Sequence, residues 1–360
     1  MPPFYLKYDR FVEAETYCRQ VWIISSAQLK AIQITLCNEF VLCISYVKRK
    51  VITFSSEQSK RKNHVTAQER AAAVKISRII RAARKQLGLN QETIAKQLSI
   101  SQSALSKLEH GTLIPSAPQW FEFCRTMGIA PESFIGGYIE RNRAATLQHG
   151  DREGTFKLPK KYCANRGSKV RAVLPFLNYL KNVLGEKKQR ELIKSFKVDP
   201  DFFVDLDNQI SLQFSLDIGR YLIKEKLLKA SDIGKLTKPI GTPELHGALH
   251  ANYAGKQDPI LLLTALLLNS RLYECNFKYS IEDQNKNLFE FSVEPEKHMS
   301  SISYKDDELG DFLCRYKRSY FERFAYYGQA EAKKNFELEE VECHFHGAPK
   351  CVFRLKSLEQ

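Results

Sequence analysis

The segment LNQETIAKQLSISQSALSKLEHG, residues 89–111, decides the fold of the central part of the chain. It contains two short helix-like stretches with SIS between them. Asn90 and Ser101 stand directly before the two stretches, and both are residue types that cap helices. Small Ala95 lets two helices cross closely. The inner faces are apolar, formed by Ile94, Ala95, Leu98, Ile100, Leu105 and Leu108.

This arrangement predicts a helix-turn-helix, in which the second helix enters the major groove of DNA. The outward side chains of that helix are polar and none is acidic: Gln102, Ser103, Ser106 and Lys107. Glutamine pairs with adenine through two hydrogen bonds, and lysine reaches guanine or phosphate. We therefore predict that these four residues read bases.

The helix before the motif is basic. It carries Arg78, Arg81, Arg84 and Lys85, side chains suited to the phosphates that flank the groove. Apolar residues at helical spacing, from Ile76 to Leu87, give it a buried face, and Gly88 ends it.

Residues 76–136 resemble the DNA-binding domain of the phage repressor and Cro (XRE) family. The resemblance rests on LGLNQETIA, SISQSALSKLEHG, Pro115 and the closing MGIAPESFIGG. It implies that Gln102, Ser103 and Lys107 face base edges and that Asn90 and Gln91 lie at a phosphate. It also implies that Arg84 pairs with Glu109. Ser99 departs from the family, which often has glycine in the turn; at positive φ, serine costs roughly 1 kcal/mol.

Composition sets bounds on the function. The chain has 360 residues, 43% hydrophobic and 27% charged, which is typical of a globular protein. Its formal net charge of +14 favours contact with a polyanion, such as nucleic acid or a lipid surface; the alternative, a basic protein that is merely soluble, fits the charge equally well. Nine cysteines without regular spacing argue against a secreted disulfide scaffold. Without an uncharged apolar run long enough for a membrane span or a signal peptide, we expect a cytoplasmic protein.

The fold class predicted for the chain is multidomain: an all-α five-helix helix-turn-helix domain followed by an α+β sensor domain. Residues 1–65 form an uncharacterised extension. One hypothesis places the true start near Val65 or Val74; the alternative is a small folded extension. The remaining boundaries are residues 66–140 for the helix-turn-helix domain, 141–170 for a linker and 171–360 for the sensor domain.

The sensor domain begins helical and then becomes strand-like. RLYECNFKYSI and NLFEFSV flank EDQNKN, which predicts a hairpin; a helix over about 307–327 precedes FELEEVECHFH and KCVFRLK. VLPFLNYLKNVLG, FFVDLDNQISLQFSLDIGRYL and HGALHANYAG resemble the N-terminal sensor domain of some AraC-type regulators. VECHFHGAPKCVFRL resembles the closing hairpin of vinyl-reductase-type sensor domains. We expect this part to bind a small-molecule effector, to form a homodimer, or both.

Cys343, His344, His346 and Cys351 lie close together, and such residues can bind metal. In a strand Cys343 and His344 point to opposite faces, so one ion cannot easily take both. A structural hairpin is therefore favoured over a metal site or a redox thiol pair, and no metal or cofactor is assigned.

His246 and His250 are four residues apart, but Gly247 between them disfavours a metal-binding helix. Four aspartates are interpreted as helix caps and turns: Asp199, Asp201, Asp205 and Asp207.

Enzyme signatures are absent from the sequence, including the phosphate-binding GxxxxGK[ST], the nucleophile elbow and HExxH. The leading hypothesis is a non-enzymatic transcriptional regulator that binds double-stranded DNA as a dimer, on a near-palindromic site. The alternative is an interaction scaffold that uses the helical domain for docking. A weaker third hypothesis is an enzyme with a metal centre near Cys343 and Cys351.

Overall fold

A computed structural model describes residues 66–141, 156–284, 288–301, 307–329 and 335–358. The predicted N-terminal extension, residues 1–65, lies outside these residues, and so does Val65, one of the two hypothetical start sites. The other, Val74, lies within a helix. Residues 142–155 of the predicted linker also lie outside them. Ala67–Gln360 forms one compact unit.

The first part of this unit is helical, as predicted, and is called the head below. Its helices are α1 Ala67–Gln86, α2 Gln91–Gln97, α3 Gln102–Glu109, α4 Ala117–Met127 and α5 Ser133–Gly136. Asn90 caps α2 by accepting from the Thr93 amide at 2.8 Å, and Ser101 caps α3 by accepting from the Ala104 amide at 3.1 Å. These bonds satisfy amides that a helix start leaves without partners.

Buried side chains of α1 to α4 form the core of the head. Ile79, Ile94 and Leu105 are fully buried there. Ser99, in the turn between α2 and α3, has left-handed backbone with φ 53°. The sequence departure at Ser99 therefore falls on a position that favours glycine.

The second part mixes helices and strands, as predicted. Its helices are α6 Lys160–Cys163, α7 Val170–Leu184, α8 Glu186–Ser195, α9 Leu212–Lys224, α10 Ile233–Thr237, α11 Pro243–His246, α12 Pro259–Leu268 and α13 Asp307–Phe324. The second part also has short 3-10 turns, among them Pro200–Val204 and His344–His346. Tyr162, which falls in the predicted linker, is fully buried in this core and gives α6 a packed position.

Two antiparallel sheets complete the second part. β1 Ser168–Lys169 pairs with β2 Gln209–Ile210. A four-stranded sheet contains β3 Phe277–Gln284, β4 Leu288–Pro295, β5 Phe336–Glu342 and β6 Cys351–Ser357, in the order β3-β4-β6-β5. Helix α13 covers this sheet, with the Phe321 ring 4.9 Å from Phe291 and 5.2 Å from Phe353 between centroids.

The head packs directly against the second part through the 3-10 turn Pro200–Val204. Val204 belongs to the core of the head, and its carbonyl accepts from the Ile139 amide at 2.7 Å. Arg141, just beyond the head, bonds the buried Asp205 at 2.7 Å. The segment around this 3-10 turn therefore makes backbone and side-chain contacts with the head or the residues next to it. Among the described helices, none has both the length and the apolar character of a membrane span.

Candidate functional site

Helix α3 presents its polar side chains to solvent. Gln102, Ser103 and Lys107 are exposed, and Ser106 is half-buried. Leu105 and Leu108, on the opposite face, are buried in the head core. The helix therefore has one face committed to packing and one available to a ligand. The assignment of these four residues to base contacts stays a prediction.

Beneath this face, Arg84 is held in a fixed position at the start of the motif. Its Nε donates to Glu109 Oε1 at 2.5 Å and its Nη2 to Glu109 Oε2 at 3.0 Å, a two-pronged ion pair. Glu109 is 3% exposed and also accepts from Gln91 Nε2 at 2.9 Å. The pair that the resemblance implied is thus present. It ties α1, α2 and α3 together, and the phosphate contacts of Arg84, Asn90 and Gln91 remain predictions.

The other two predicted phosphate contacts, Arg81 and Lys85, are bound by the second part of the protein. Arg81 donates to both oxygens of Asp201, at 2.8 and 3.2 Å, and Lys85 lies 2.8 Å from both Asp199 and Asp201. Arg190 adds a third cation at 3.1 Å. We call the set Arg81, Lys85, Arg190, Asp199 and Asp201 the carboxylate clamp.

Asp201 is the centre of the carboxylate clamp and is 2% exposed. Its burial alone would raise the pKa of the carboxyl group, but hydrogen bonds from Arg81 and Lys85 outweigh burial and hold the pKa well below its usual value. The same bond raises the pKa of Arg81. Asp201 therefore stays ionised, and Arg81 and Lys85 reach a DNA phosphate only by exchanging a buried carboxylate for it.

The second part also contains a partly open cavity of about 60 Å³. Its walls come from α7, α9, α12, β3 and α13 and are mainly aromatic and aliphatic, with Phe176, Leu266, Tyr273, Phe277, Tyr316 and Tyr320 among them. One cation, Lys317, lines it as well. Mostly apolar walls with a few polar groups are typical of a site for a small molecule.

A second cluster lies where α13 meets β5 and β6. One ligand atom each from Cys314, Glu340, Cys343 and Cys351 lie within 4.8 Å of one another. The Cys314 sulfur is 3.9 Å from that of Cys351 and 3.4 Å from that of Cys343. A tetrahedral ion with Zn–S bonds of about 2.3 Å holds its sulfurs roughly 3.8 Å apart. Glu340 Oε1 is buried without a hydrogen-bond partner among the described residues, so the four side chains fit a metal ion.

The structure brings Cys343 and Cys351 together with Cys314 and Glu340 rather than with His344 and His346. His344 Nδ1 instead lies 3.0 Å from the Ala348 carbonyl oxygen, and His346 is exposed. Cys314 was missed because it lies on a helix 29 residues before Cys343. Glu340 was missed because it is one of several acidic residues in β5, and the sequence does not distinguish it from the others. The spacing Glu-x-x-Cys followed by a cysteine across the turn was the available signal.

His246 and His250 bind tyrosines rather than one another. His246 is fully buried, with Nδ1 2.7 Å from the Tyr273 hydroxyl and Nε2 2.7 Å from the Ile240 carbonyl oxygen. The carbonyl accepts only, so Nε2 carries the proton. Burial lowers the pKa of His246 to about 4, and the ring is neutral at pH 7. His250 Nδ1 lies 2.7 Å from the Tyr327 hydroxyl.

Comparison with known families gives a match over the head. Residues 80–134 match the family model described as helix-turn-helix. The match spans α2, α3 and α4 with their connections, and it agrees with the packing and capping described above. The chain therefore contains an XRE-type helix-turn-helix domain, as its sequence predicted. No curated protein matches the chain.

Solved structures give only distant likenesses. An H-NOX protein from S. oneidensis in the Fe(II)NO ligation state is 12% identical, with a TM-score of 0.38, covering 52% of this chain and 98% of that one. The Fe(II) unliganded H-NOX protein from K. algicida is 11% identical, with a TM-score of 0.36 over 53% and 97%. At these TM-scores the likeness carries no conclusion about fold or ligand.

Proposed function

We propose that this protein is a non-enzymatic transcriptional regulator that acts in the cytoplasm and binds double-stranded DNA through α3. The observation that carries the proposal is the division of α3 into a buried face and an exposed polar face, within a matched helix-turn-helix domain. As a homodimer it would place two such helices about 34 Å apart, one turn of DNA, on a near-palindromic site.

Selection of binding sites from random DNA with the full chain tests this proposal. The expected product is a pair of inverted half-sites with centres about 10 base pairs apart. The double variant Gln102→Ala, Lys107→Ala then loses binding to the selected site, because it removes side chains assigned to bases. A matched control is Lys96→Ala, Gln97→Ala, which removes the same residue types from exposed positions at the far end of α2.

The same measurement separates the regulator from the interaction scaffold. A scaffold that docks through the head selects no DNA sequence. Equal affinity of the wild type and the Gln102, Lys107 variant for a selected site would remove α3 as the reading helix. The two variant proteins melt alike if the substituted side chains carry no packing, and circular dichroism checks this.

The second part serves as the input for the signal in this proposal. Residues 199–215 run from the carboxylate clamp to the cavity: Asp201 and Val204 contact the head, and Leu212 and Ser215 line the cavity. Ser168 pairs with Ile210 in this segment and also lines the cavity. A ligand that moves the cavity wall therefore also moves the segment that contacts the head. Such a ligand binds with different affinity when the head is in one position than when it is in another, and it shifts the head toward the position it favours.

Cys314, Glu340, Cys343 and Cys351 favour a second role, the binding of one structural zinc ion. Three thiolates and a carboxylate suit Zn²⁺, and they join α13 to β5 and β6, the far side of the cavity. Metal analysis of protein purified without chelator measures the expected stoichiometry of one zinc per chain. Cys314→Ser is expected to lose the ion, whereas Cys163→Ser, at an exposed cysteine outside the cluster, keeps it.

A further inference from the structure

Lys317 is a buried cation in the wall of the cavity. It lies on α13 and is 7% exposed. Its Nζ has no hydrogen-bond partner among the described residues. The ammonium group lies over the Phe277 ring, 2.7 Å from its centroid, and 5.7 Å from that of Tyr279. Ring faces attract a cation but do not replace hydrogen bonds, so burying this amine is unfavourable unless a further acceptor is supplied.

Glu274, the acid among the residues that line the cavity, makes no hydrogen bond to Lys317 among the described residues. Glu274 accepts from the Tyr279 hydroxyl through one oxygen, and Asn276 Nδ2 lies 3.4 Å from the other. Both carboxylate oxygens of Glu274 are therefore held by neutral donors. Lys317 remains the donor in the cavity whose charge no described hydrogen bond satisfies.

We infer that the effector of this cavity is a small apolar or aromatic acid whose carboxylate pairs with Lys317 Nζ. The inference rests on the proposed function of the cavity as an effector site and names the chemical class of the effector. An anion would give the ammonium group its missing acceptors in a region of low dielectric, where such a bond is strong. The aromatic and aliphatic walls would take the rest of the molecule.

The size of the cavity links this binding to a change of shape. A cavity that holds benzene measures about 150 Å³, more than twice the volume available here. An aromatic acid therefore pushes the walls apart, and Leu212 and Ser215 of the segment that leads to the head are among those walls. A shorter acid, such as butyrate, fits with less displacement.

Matched pairs of probes test the inference. Butyrate, benzoate and 1-naphthoate are each compared with the primary alcohol of the same carbon skeleton, by calorimetry on the full-length protein at pH 7. In the wild type at least one acid is expected to bind ten-fold or more tightly than its alcohol. In Lys317→Met, which keeps the length and the apolar stem, the acid loses that advantage while the alcohol binds as tightly or more tightly.

The control variant is Lys278→Met, an exposed lysine on β3 one residue from the cavity wall, and it keeps the preference for the acid. Zinc content is measured in both variants because Lys317 also lies beside Cys314 and Cys351; loss of metal would weaken acid and alcohol alike. The inference is overturned if alcohols bind the wild type as well as the acids do, or if Lys317→Met still prefers the acid to the alcohol. Either result would still be consistent with an effector site in the cavity. If no probe of either class binds, the effector site itself fails, and the inference with it.

Discussion

Replacing Asp201 by asparagine is the most direct test of how the head is controlled. The carboxylate accepts from Arg81 at 2.8 and 3.2 Å, from Lys85 at 2.8 Å and from Arg190 at 3.1 Å. Asparagine has the same shape but no charge, so Asp201→Asn releases Arg81 and Lys85 from the strongest of their acceptors. If both cations then bind phosphates, the DNA complex gains two contacts that the wild type makes only at the expense of the carboxylate clamp.

The magnitude follows from counterion release. Each phosphate contact adds about 0.9 to the slope of log affinity against log salt, so two contacts steepen it by about 1.8. Between 50 and 200 mM salt, Asp201→Asn then loses affinity about 12-fold more than the wild type, and at the lower salt it binds more tightly. Fluorescence anisotropy with a selected duplex measures both slopes.

Asp207→Asn is the matched control. Asp207 belongs to the same segment, but its ion pairs are with Lys169 and Arg171, which lie outside the head. Asp207→Asn removes one negative charge without releasing a cation of α1. Its slope of log affinity against log salt therefore stays that of the wild type. An unchanged slope in Asp201→Asn, or weaker binding at every salt concentration, refutes the competition between Asp201 and DNA. Circular dichroism verifies that both variants are folded at the assay temperature.

Three further outcomes are expected. Ser99→Gly raises the free energy of unfolding by about 1 kcal/mol in urea titrations, because Ser99 has φ 53°; Ser103→Gly, inside a helix, lowers it by a similar amount. The pKa of His246, lowered by burial to about 4, means that the unfolded chain binds the extra proton between pH 6.5 and 4. The neutral His246 ring contributes fully to the free energy of unfolding above pH 6.5, and this free energy falls by about 3 kcal/mol as the pH drops from 6.5 to 4. In His246→Gln the free energy of unfolding depends less on pH over this range. Equal pH profiles for the wild type and the variant would contradict the lowered pKa of His246. Removing zinc from wild-type protein with a chelator lowers the melting temperature, whereas Cys314→Ser shows no response to the chelator.

The head was predictable because its determinants are local. Asn90 and Ser101 act within three residues of themselves, and the apolar spacing of α2 and α3 marks a face that any correct fold must bury. The hairpin around EDQNKN was predicted for the same reason, since β3 and β4 are adjacent in sequence and pair directly.

The carboxylate clamp and the thiolate cluster were not predictable, because each joins residues far apart in the chain. Arg81 and Asp201 are 120 positions apart. The interpretation of the aspartates as caps is correct locally: Asp199 accepts from the Asp201 amide at 2.9 Å and Asp205 from that of Asp207 at 3.0 Å. No local pattern indicates that Asp199 also binds Lys85 of α1 or that Asp205 also binds Arg141. Strand alternation likewise could not bring Cys314 to Cys343.

These long-range pairs change what the net charge of +14 means. The sequence alone assigns four cations of α1 to a DNA-binding surface. The fold instead pairs Arg78 with Glu186, Arg81 and Lys85 with Asp201, and Arg84 with Glu109. Of these acids, Glu109 lies in the head, and its pair braces the motif whether or not DNA is present. Glu186 and Asp201 belong to the second part, so their ion pairs with α1 depend on the position of the second part against the head. If the head binds DNA as proposed, its electrostatic affinity would therefore depend on the second part, where the proposed effector would act.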